Sequence, residues 1–355
     1  MDHFVYQGLP SRVVFGWDSL QRLPEELDRL GMARALILTT PEQKALGEQV
    51  AALIGERAAG VLAEAVMHVP IEVARHARIE SARRGADGCI AVGGGSTIGL
   101  GKAIAMESGL PILAIPTTYA GSEMTPVYGI TESRLKKTGR DPRVLPRTVL
   151  YDPTFTLTLP TALSASSGMN AMAHAVEALY AQDGNPIVGL MAVDAIRALA
   201  RSLPAIVDDP KDRAARSDAL YGAWLAGTCL GSVGMALHHK LCHTLGGTFN
   251  LPHAAMHAVL LPYSAHYNHT VAPHALNAVA SALGGEHASE AGPRLQALNY
   301  RLHLPTSLAA IGMPHSGIRE AAELACANPY YNPRPFDPTS IEALLTAAWH
   351  GDRLA

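Results

Sequence analysis

The sequence has little cysteine, no excess of positive charge and no long apolar run. Its four cysteines form no Cys-x-x-Cys pair and follow no regular spacing, which argues against a disulfide framework and is typical of a reducing compartment. With 28 Lys+Arg against 31 Asp+Glu, the net charge of −3 supplies no broad basic surface for a nucleic acid. We therefore expect neither a disulfide-stabilised module nor a nucleic-acid-binding protein.

Membrane signals are missing as well. The first residues show no basic region followed by an apolar one, and the longest weakly polar stretch, Ala223 to Leu237, is too short and too rich in Gly, Ser and Thr for a bilayer span. What the sequence does have is 355 residues, 48% of them hydrophobic, which is enough for about two folded domains. It predicts a soluble cytoplasmic protein without a membrane partner.

The first half of the chain alternates short apolar runs with helical stretches of 10 to 15 residues, a pattern typical of parallel βαβ units. The polar stretch from Val127 to Asp152 is interpreted as a hairpin or long loop, and from Pro160 onward helical periodicity dominates. The sequence thus predicts a Rossmann-like α/β dinucleotide-binding domain at residues 1–155. An all-α substrate or catalytic domain is predicted at residues 156–355.

A glycine-rich turn offers the first candidate site. The apolar run ending at Val92 leads into Gly93-Gly94-Gly95-Ser96, and a helix follows, with Ser96 as its predicted cap. Free amides and the positive end of the helix dipole favour a pyrophosphate there, although a turn without a ligand is the alternative. A P-loop is excluded, because Ser96 stands where its first glycine belongs and Ala103 follows Lys102.

Hydroxyl side chains follow two other predicted strands. Thr117, Thr118 and Ser122 come after the run ending at Pro116, where open α/β sheets bind ligands. Thr39 stands where a dinucleotide-binding fold usually has a carboxylate for the adenosine ribose. Without that negative charge nothing repels a 2′-phosphate, so we expect both NADH and NADPH to be accepted.

Histidine is abundant in the helical half. Asn170 and His174 are four residues apart, as are His239 and His243, so each pair shares one helix face, and His253 follows Pro252 at a predicted helix start. Any one of them is more readily explained as a hydrogen-bonded core histidine. Several convergent pairs together favour an active site.

These segments, in this order, resemble the iron-containing alcohol dehydrogenase superfamily, which also includes the more distant dehydroquinate synthases. The resemblance covers nearly the whole chain and rests on Gly93 to Lys102, Pro116 to Pro126, Ser167 to His174, His239 to His253 and Asn332 to Pro335. Within the superfamily, the chain is most similar to the maleylacetate reductase branch. The resemblance implies a dehydroquinate synthase-like architecture, an oxidoreductase using NADH or NADPH, and a homodimer.

Metal-dependent relatives hold Fe²⁺ or Zn²⁺ with one Asp and three His, which match Asn170, His174, His239 and His253 here. The neutral amide of Asn170 removes a charged oxygen ligand, and Gly99 replaces an Asp of the glycine-rich turn. Both departures fit a reductase working without metal, so no metal is expected. The implied substrate is the small dicarboxylate maleylacetate, whose C=C bond is reduced to give 3-oxoadipate in the catabolism of aromatic compounds.

The candidate residues follow from these patterns and from the resemblance. The catalytic candidates are His243, His253, His239 and His174, with His243 the leading proton donor or enolate stabiliser. The substrate-binding candidates are Asn170, Lys102, Tyr119 and Tyr330. The cofactor-binding candidates are Thr39, Gly93, Gly94, Gly95, Ser96, Thr117, Thr118, Ser122 and Leu157.

Three alternatives remain open on the sequence. The nearest is a metal-dependent alcohol dehydrogenase in which Asn170 still ligates the ion. A lyase resembling dehydroquinate synthase, which uses NAD⁺ catalytically, is more distant. A non-catalytic nucleotide-binding protein would leave the histidine cluster without a purpose, although a fold alone does not dictate a function.

Overall fold

The computed structural model describes residues 4–9, 11–132 and 135–355. It divides the chain into two compact units, one of Leu9–Leu159 and one of Pro160–Ala355 together with the residues up to Gly8. The predicted combination of an α/β fold with a helical C-terminal part is confirmed.

The first unit is built on a six-stranded parallel sheet. Its strands, with the hairpin strands β6 and β7, are β1 Arg12–Phe15, β2 Ala35–Leu38, β3 Ala58–Leu62, β4 Gly88–Gly93, β5 Ile112–Pro116, β6 Val127–Glu132, β7 Leu135–Arg140 and β8 Thr148–Tyr151. The strand order in the sheet is β1-β8-β5-β4-β2-β3, and every neighbouring pair is parallel. The helices are α1 Leu23–Leu30, α2 Lys44–Ile54, α3 Ile71–Arg83 and α4 Gly95–Ser108.

Side-chain alternation in the strands gives the sheet two apolar faces. Ile37 and Ile90 lie on the face that packs with α1 and α2, whereas Leu36 and Leu38 lie on the face that packs with α3 and α4. Parallel strands buried on both faces appear as continuous apolar runs, which is why the sequence locates them well. The carboxyl ends of β4 and β5 are thereby held side by side, with Thr117 N donating to Gly93 O at 3.2 Å.

The stretch after Val127 contains both the predicted hairpin and a strand that the sequence did not predict. β6 and β7 pair in antiparallel fashion. This confirms the hairpin, one of the two interpretations offered by the sequence. Near the end of the stretch is β8, Thr148–Tyr151, which lies between β1 and β5 in the main sheet. Only four residues long, β8 follows a proline-rich polar segment that concealed it.

The second unit is entirely helical among the described residues. Its helices are α5 Thr161–Ala178, α6 Pro186–Asp208, α7 Arg213–Ser232, α8 Leu237–Phe249, α9 His253–Asn268, α10 Pro273–Ala282, α11 Ala291–Arg301, α12 Ile318–Ala327 and α13 Pro338–His350. α5 is central: it packs against α6, α7 and α9, and nearly every residue from Ser164 to Ala178 is buried. Because α5 has no face exposed to solvent, its polar side chains must find hydrogen-bond partners within the protein.

Within the described ranges, no one helix combines the length and apolar composition needed to cross a bilayer. α7 and α8 meet both conditions only as a pair, and that pair is bent by 93°.

Candidate active site

Two glycines at the end of β4 are required by what surrounds them. Gly93 has φ +155°, and a Cβ there would lie 2.4 Å from Oγ1 of Thr97. A Cβ on Gly94 would lie 2.9 Å from Oγ1 of Thr118, on the loop after β5. Only residues without a side chain let these two strand ends approach so closely. We call this glycine-lined turn between the ends of β4 and β5 the cradle.

The helix that follows, α4, begins two residues earlier than predicted. Gly94 is its N-cap, and the Ser96 side chain makes no capping bond, so the prediction of Ser96 as the cap is wrong. The amides of Thr97 and Ile98 donate to Gly94 O, whereas those of Gly95 and Ser96 have no acceptor in the described part of the chain. Two amides at the positive end of a 14-residue helix are suitable donors for an anion.

The hydroxyl candidates around this turn differ in exposure. Thr39 is fully buried at the end of β2, and Thr117 is buried and accepts a hydrogen bond from Gln43 Nε2 at 3.0 Å. Thr118 and Ser122 are half-buried, as is Leu157 just after the turn Pro153–Thr156. The side chains of Thr118 and Ser122 are therefore better placed for a ligand than that of Thr39.

Lys102 holds a loop together. Its Nζ donates to the carbonyl oxygens of Ser122, Thr125 and Val127 at 2.7, 2.9 and 2.7 Å, and it also lies 3.3 Å from Ser122 Oγ and 3.0 Å from Thr125 Oγ1. The side chain is 1% exposed. Burial lowers the pKa of the ammonium to about 7, which the Glu123 carboxylate opposes. This geometry gives no support to the predicted substrate contact of Lys102.

Beside Lys102 lies a second buried group that the sequence did not single out. Glu123 is fully buried, accepts a hydrogen bond from the Tyr151 hydroxyl at 2.8 Å, and has its pKa raised by burial. Tyr119, a predicted substrate contact, is also fully buried. The loop after β5 is thus anchored by polar groups beneath it, and its half-buried hydroxyls are left at the surface.

In the helical unit, α5 and α8 bring a chain of four polar side chains together. Glu177 Oε2 lies 2.6 Å from Nδ1 of His239, Nε2 of His239 lies 2.9 Å from Nδ1 of His174, and Nε2 of His174 lies 3.3 Å from Nδ2 of Asn170. The side chains of this first imidazole chain are all buried. Glu177 also accepts the amides of Ala236 and His238 at 2.8 and 2.6 Å, which fixes the start of α8.

The two ends of this chain determine where its protons lie. A carboxylate only accepts, so Nδ1 of His239 carries the proton and its Nε2 accepts from Nδ1 of His174. Nε2 of His174 is then an acceptor, and the Asn170 amide donates to it. In this neutral arrangement both imidazole protons are used inside the protein.

A second imidazole chain connects α8 with α9. Nδ1 of His238 lies 3.1 Å from Ser264 Oγ, and its Nε2 lies 2.9 Å from Nδ1 of His257 and 3.6 Å from Cys242 Sγ. Burial lowers the pKa of both histidines well below the usual value, with neighbouring imidazoles acting in the same direction. The two rings are therefore neutral at physiological pH.

His243, a catalytic candidate, and Tyr330, a substrate-binding candidate, are brought together at the edge of this cluster. Nδ1 of His243 lies 3.1 Å from the Tyr330 hydroxyl, and the His243 ring centroid is 6.2 Å from that of His239. His243 is exposed and Tyr330 half-buried. Burial raises the pKa of Tyr330, which keeps the phenol protonated at neutral pH. Among the histidines predicted from the sequence, His243 is the one open to solvent.

Asn332 and Arg334 belong to a structural contact. Asn332 exchanges amide hydrogen bonds with Asn268 at 2.8 and 3.0 Å, and Arg334 donates to Tyr267 O while lying 4.2 Å from the Tyr267 ring centroid. These bonds attach the segment before α13 to the end of α9.

The donor set fits a divalent ion poorly. Zinc ligands about 2.0 Å from the ion stand roughly 3.3 Å apart, whereas the facing nitrogens of His174 and His239 are at the 2.9 Å of a hydrogen bond. Asn170 turns an amide nitrogen, not an oxygen, towards His174. Among the described residues, three His, Cys, Asp or Glu ligand atoms lie within 4.8 Å of one another only at His238, Cys242 and His257, whose nitrogens are also hydrogen-bonded at 2.9 Å.

Comparison with known proteins places this site in a family. Residues 10–153 match the model described as iron-containing alcohol dehydrogenase, and residues 164–349 match the C-terminal model of the same family. The chain belongs to the iron-containing alcohol dehydrogenase family. Its members are nicotinamide-dependent oxidoreductases, and this chain is one of them.

Several relatives within the family are similar over almost their whole length. A maleylacetate reductase of Burkholderia cepacia is 58% identical over 99% of both chains, and one of Sphingobium indicum is 52% identical over 98% of both. The crystal structure of maleylacetate reductase from Agrobacterium tumefaciens superposes with a TM-score of 0.96 at 51% identity, covering 99% of this chain and all of the other.

Sequence reasoning assigned no individual role to three of the buried site residues: Glu177, His238 and His257. Glu177 lies three residues after His174 on the same helix, a spacing that places a carboxylate next to the histidine face. The spacing of His253 and His257 gave the same signal in α9. The pairing of His238 with Ser264 joins two helices and has no counterpart in local spacing.

Proposed function

We propose that this chain is a maleylacetate reductase, which reduces the C=C bond of maleylacetate to give 3-oxoadipate in the catabolism of aromatic compounds such as resorcinol or hydroxyquinol. The observation that carries the proposal is the Asn170 amide donating to Nε2 of His174, with His174 bonded in turn to His239. This arrangement satisfies the imidazoles without an ion. The names of the full-length relatives supply the substrate.

The chemistry of the substrate explains why a metal is dispensable. Reducing a simple ketone produces an alkoxide, a strong base for which a Lewis acid is valuable. Maleylacetate is a 4-oxo-2-enedioate, and addition of hydride to the carbon β to its ketone leaves an enolate, a much weaker base. Hydrogen bonds are sufficient to stabilise such an oxyanion. A proton added to the carbon next to the carbonyl completes 3-oxoadipate.

The glycine-rich turn is proposed to hold the dinucleotide. Gly93 and Gly94 shape the cradle, the amides of Gly95 and Ser96 meet the pyrophosphate, and Thr118 and Ser122 supply hydroxyl contacts. When bound, a reduced nicotinamide supplies the hydride. Thr39 and Thr40 directly follow β2 in place of a carboxylate that would repel a 2′-phosphate, so the site is proposed to accept NADH and NADPH.

His243 is the proposed proton donor, with Tyr330 orienting it. A protonated phenol beside Nδ1 favours the tautomer of His243 that carries its proton on Nε2. His174 and His239 have both their protons engaged inside the protein, so they shape the pocket and do not donate. His253, half-buried at the start of α9, is proposed to contact the dicarboxylate.

A spectrophotometric assay of NADH oxidation with maleylacetate, run with and without EDTA, tests the proposal. We expect stoichiometric oxidation that EDTA does not change. Loss of activity with EDTA and its return with Zn²⁺ or Fe²⁺ would show that a metal is required and would refute the metal-free mechanism. A dehydroquinate synthase-like lyase would show no net NADH consumption.

Two variants test the proton donor. His243→Ala and Tyr330→Phe are expected to lower kcat, the first by about 100-fold, as for loss of a general acid. His274→Ala removes an exposed histidine from α10 and serves as the matched control. A His243→Ala enzyme that keeps most of its kcat would remove this residue from the mechanism.

A homodimer is also proposed, and size-exclusion chromatography with light scattering measures it directly.

A further inference from the structure

The Ser264 hydroxyl stands at the start of the second imidazole chain. Its Oγ lies 3.1 Å from the carbonyl oxygens of both Leu260 and Leu261, and 3.1 Å from Nδ1 of His238. Carbonyl oxygens accept only, so the single hydroxyl proton points towards them. Oγ then offers lone pairs to His238, and Nδ1 of His238 carries the proton of that contact.

The tautomer is passed along the chain. With its proton on Nδ1, the neutral His238 ring accepts at Nε2, and the donor 2.9 Å away is Nδ1–H of His257. His257 is therefore left with a lone pair on Nε2, on the far side of its ring from His238. Every member of this chain, Ser264, His238 and His257, is completely buried.

The lone pair on Nε2 of His257 is a buried hydrogen-bond acceptor that lowers the stability of the fold. It is buried and has no hydrogen-bond partner in the described part of the chain. Leaving such a group unsatisfied costs about 1–3 kcal/mol, and an apolar side chain would avoid the cost. Native proteins retain groups of this kind mainly where function requires them. The ring lies 4.5 Å from that of His253 and 5.0 Å from that of His239, centroid to centroid.

Building on the proposed function, we propose that Ser264 and His257 are positioning residues for the reduction. Ser264, acting through His238, fixes the tautomer of His257 and thereby keeps Nε2 of His257 as an acceptor for the His253 ring, which donates to it once the substrate is bound. That bond holds His253 in one orientation, with its other ring nitrogen directed to the substrate. No covalent step passes through the relay.

The test combines a variant pair with a spectroscopic measurement. Ser264→Ala removes the acceptor for His238, which lets both rings move their proton to Nε2 and abolishes the acceptor on His257. Ser232→Ala is the matched control, because Ser232 also bonds the carbonyl four residues earlier in its helix, at 2.7 Å, but lies far along the sequence from this relay and bonds no histidine in the described part of the chain. Ser264→Thr retains the hydroxyl. The tautomers are observed by two-bond ¹H–¹⁵N NMR of protein labelled with ¹⁵N-histidine, assigned with His238→Gln and His257→Gln.

We expect wild-type His238 and His257 to be protonated at Nδ1 and unprotonated at Nε2. Ser264→Ala should shift this pattern and lower kcat about tenfold, equivalent to about 1.4 kcal/mol, with KM unchanged. Ser264→Thr should recover both properties, and Ser232→Ala should alter neither. A wild-type His257 protonated at Nε2, or a Ser264→Ala enzyme with unchanged kcat, overturns the proposal. If Ser264→Ala does not fold, the wild-type tautomers decide.

The two proposals fail in distinguishable ways. Wild-type protein that oxidises no NADH with maleylacetate refutes the proposed function. Wild-type protein that is active but lacks the expected tautomers refutes the relay alone.

Discussion

The Asn170 amide, together with the Glu177 carboxylate at the other end of the chain, determines where the protons of two imidazoles lie. It donates to Nε2 of His174, which allows His174 to donate to His239 without an added charge. A carboxylate in its place has no proton to give, so either an imidazolium or a cation must take up the position. The replacement of acid by amide is therefore a chemical change in the site as well as the loss of a ligand.

Asn170→Asp should accordingly move the site towards metal binding. We expect at least about tenfold tighter Zn²⁺ binding than in the wild type, because a charged oxygen joins the histidines, and a lower kcat with maleylacetate. Calorimetry of chelator-treated protein measures the affinity. Asn328→Asp, at an exposed position after α12, is the control for added charge. Wild-type protein that already retains one equivalent of metal would contradict the expectation.

The two neutral histidines of the second chain also predict a pH dependence of stability. Their folded-state pKa values lie well below the usual 6.5, so the unfolded chain takes up protons near pH 6.5 that the folded chain does not. The free energy of unfolding should therefore fall on acidification below pH 6.5, by about 1.4 kcal/mol per pH unit for each histidine. Glu123, whose pKa burial raises, acts in the opposite direction but is a single group.

Urea titrations between pH 5 and 8 measure this dependence. His257→Gln should reduce the acid slope to about half, since one of two titrating groups is removed. His274→Gln, in which an exposed histidine is replaced, should leave the slope as in the wild type. A urea midpoint that does not change from pH 8 to pH 5.5 would show that the folded chain takes up protons at these rings as readily as the unfolded chain does.

At the scale of elements, the turn between β4 and α4 depends on close backbone approach. A Cβ at position 94 would stand 2.9 Å from Thr118 Oγ1, so Gly94→Ala must displace one side of the cradle. We expect about tenfold weaker NADH binding, or about 1.4 kcal/mol, in a fluorescence titration. Gly189→Ala in α6 is the control, because a Cβ there meets nothing within 4 Å. Unchanged NADH affinity in Gly94→Ala would exclude the turn as the pyrophosphate site.

The loop after β5 depends on one ammonium group. Lys102 supplies donors to three carbonyl oxygens, and a methionine of similar shape supplies none. Lys102→Met should lower the free energy of unfolding by about 2–4 kcal/mol, since buried acceptors are left unpaired. Urea unfolding of Lys102→Met is compared with that of Lys44→Met, which removes an exposed lysine from α2. The difference between the two variants isolates the contribution of the buried ammonium group. Equal stability of the two variants would mean that the loop finds other donors.

Periodicity predicted the elements whose environment is uniform. The carboxyl end of β5 was located correctly at Pro116, and that of β4 to within a residue, because strands buried on both faces form continuous apolar runs. β8 was missed because it is only four residues long and its neighbours are polar. The start of α4 was misplaced by two residues because the close contact of Gly94 with Thr118, which is not a local feature, decides where the helix begins.

At the scale of the whole molecule, the family and the two-part organisation could be predicted from the sequence, because the motifs are long and ordered along the chain. The histidines could be singled out, but their roles could not. Whether His239 offers a proton depends on Glu177, and whether His257 does depends on Ser264. Those contacts join α5, α8 and α9, and neither spacing nor composition records which atoms of separate helices meet.

The four cysteines differ in burial, so their rates of reaction with a thiol reagent can be used to measure unfolding of the chain. Cys89, Cys229 and Cys242 are buried, and burial raises the pKa of each thiol, while Cys326 alone is partly accessible. A chromogenic disulfide reagent should thus count one fast thiol in native protein and four after denaturation. Because Cys89 lies in the parallel sheet and Cys242 touches His238, mass spectrometry of the labelled peptides can follow the opening of each unit separately, without any introduced probe.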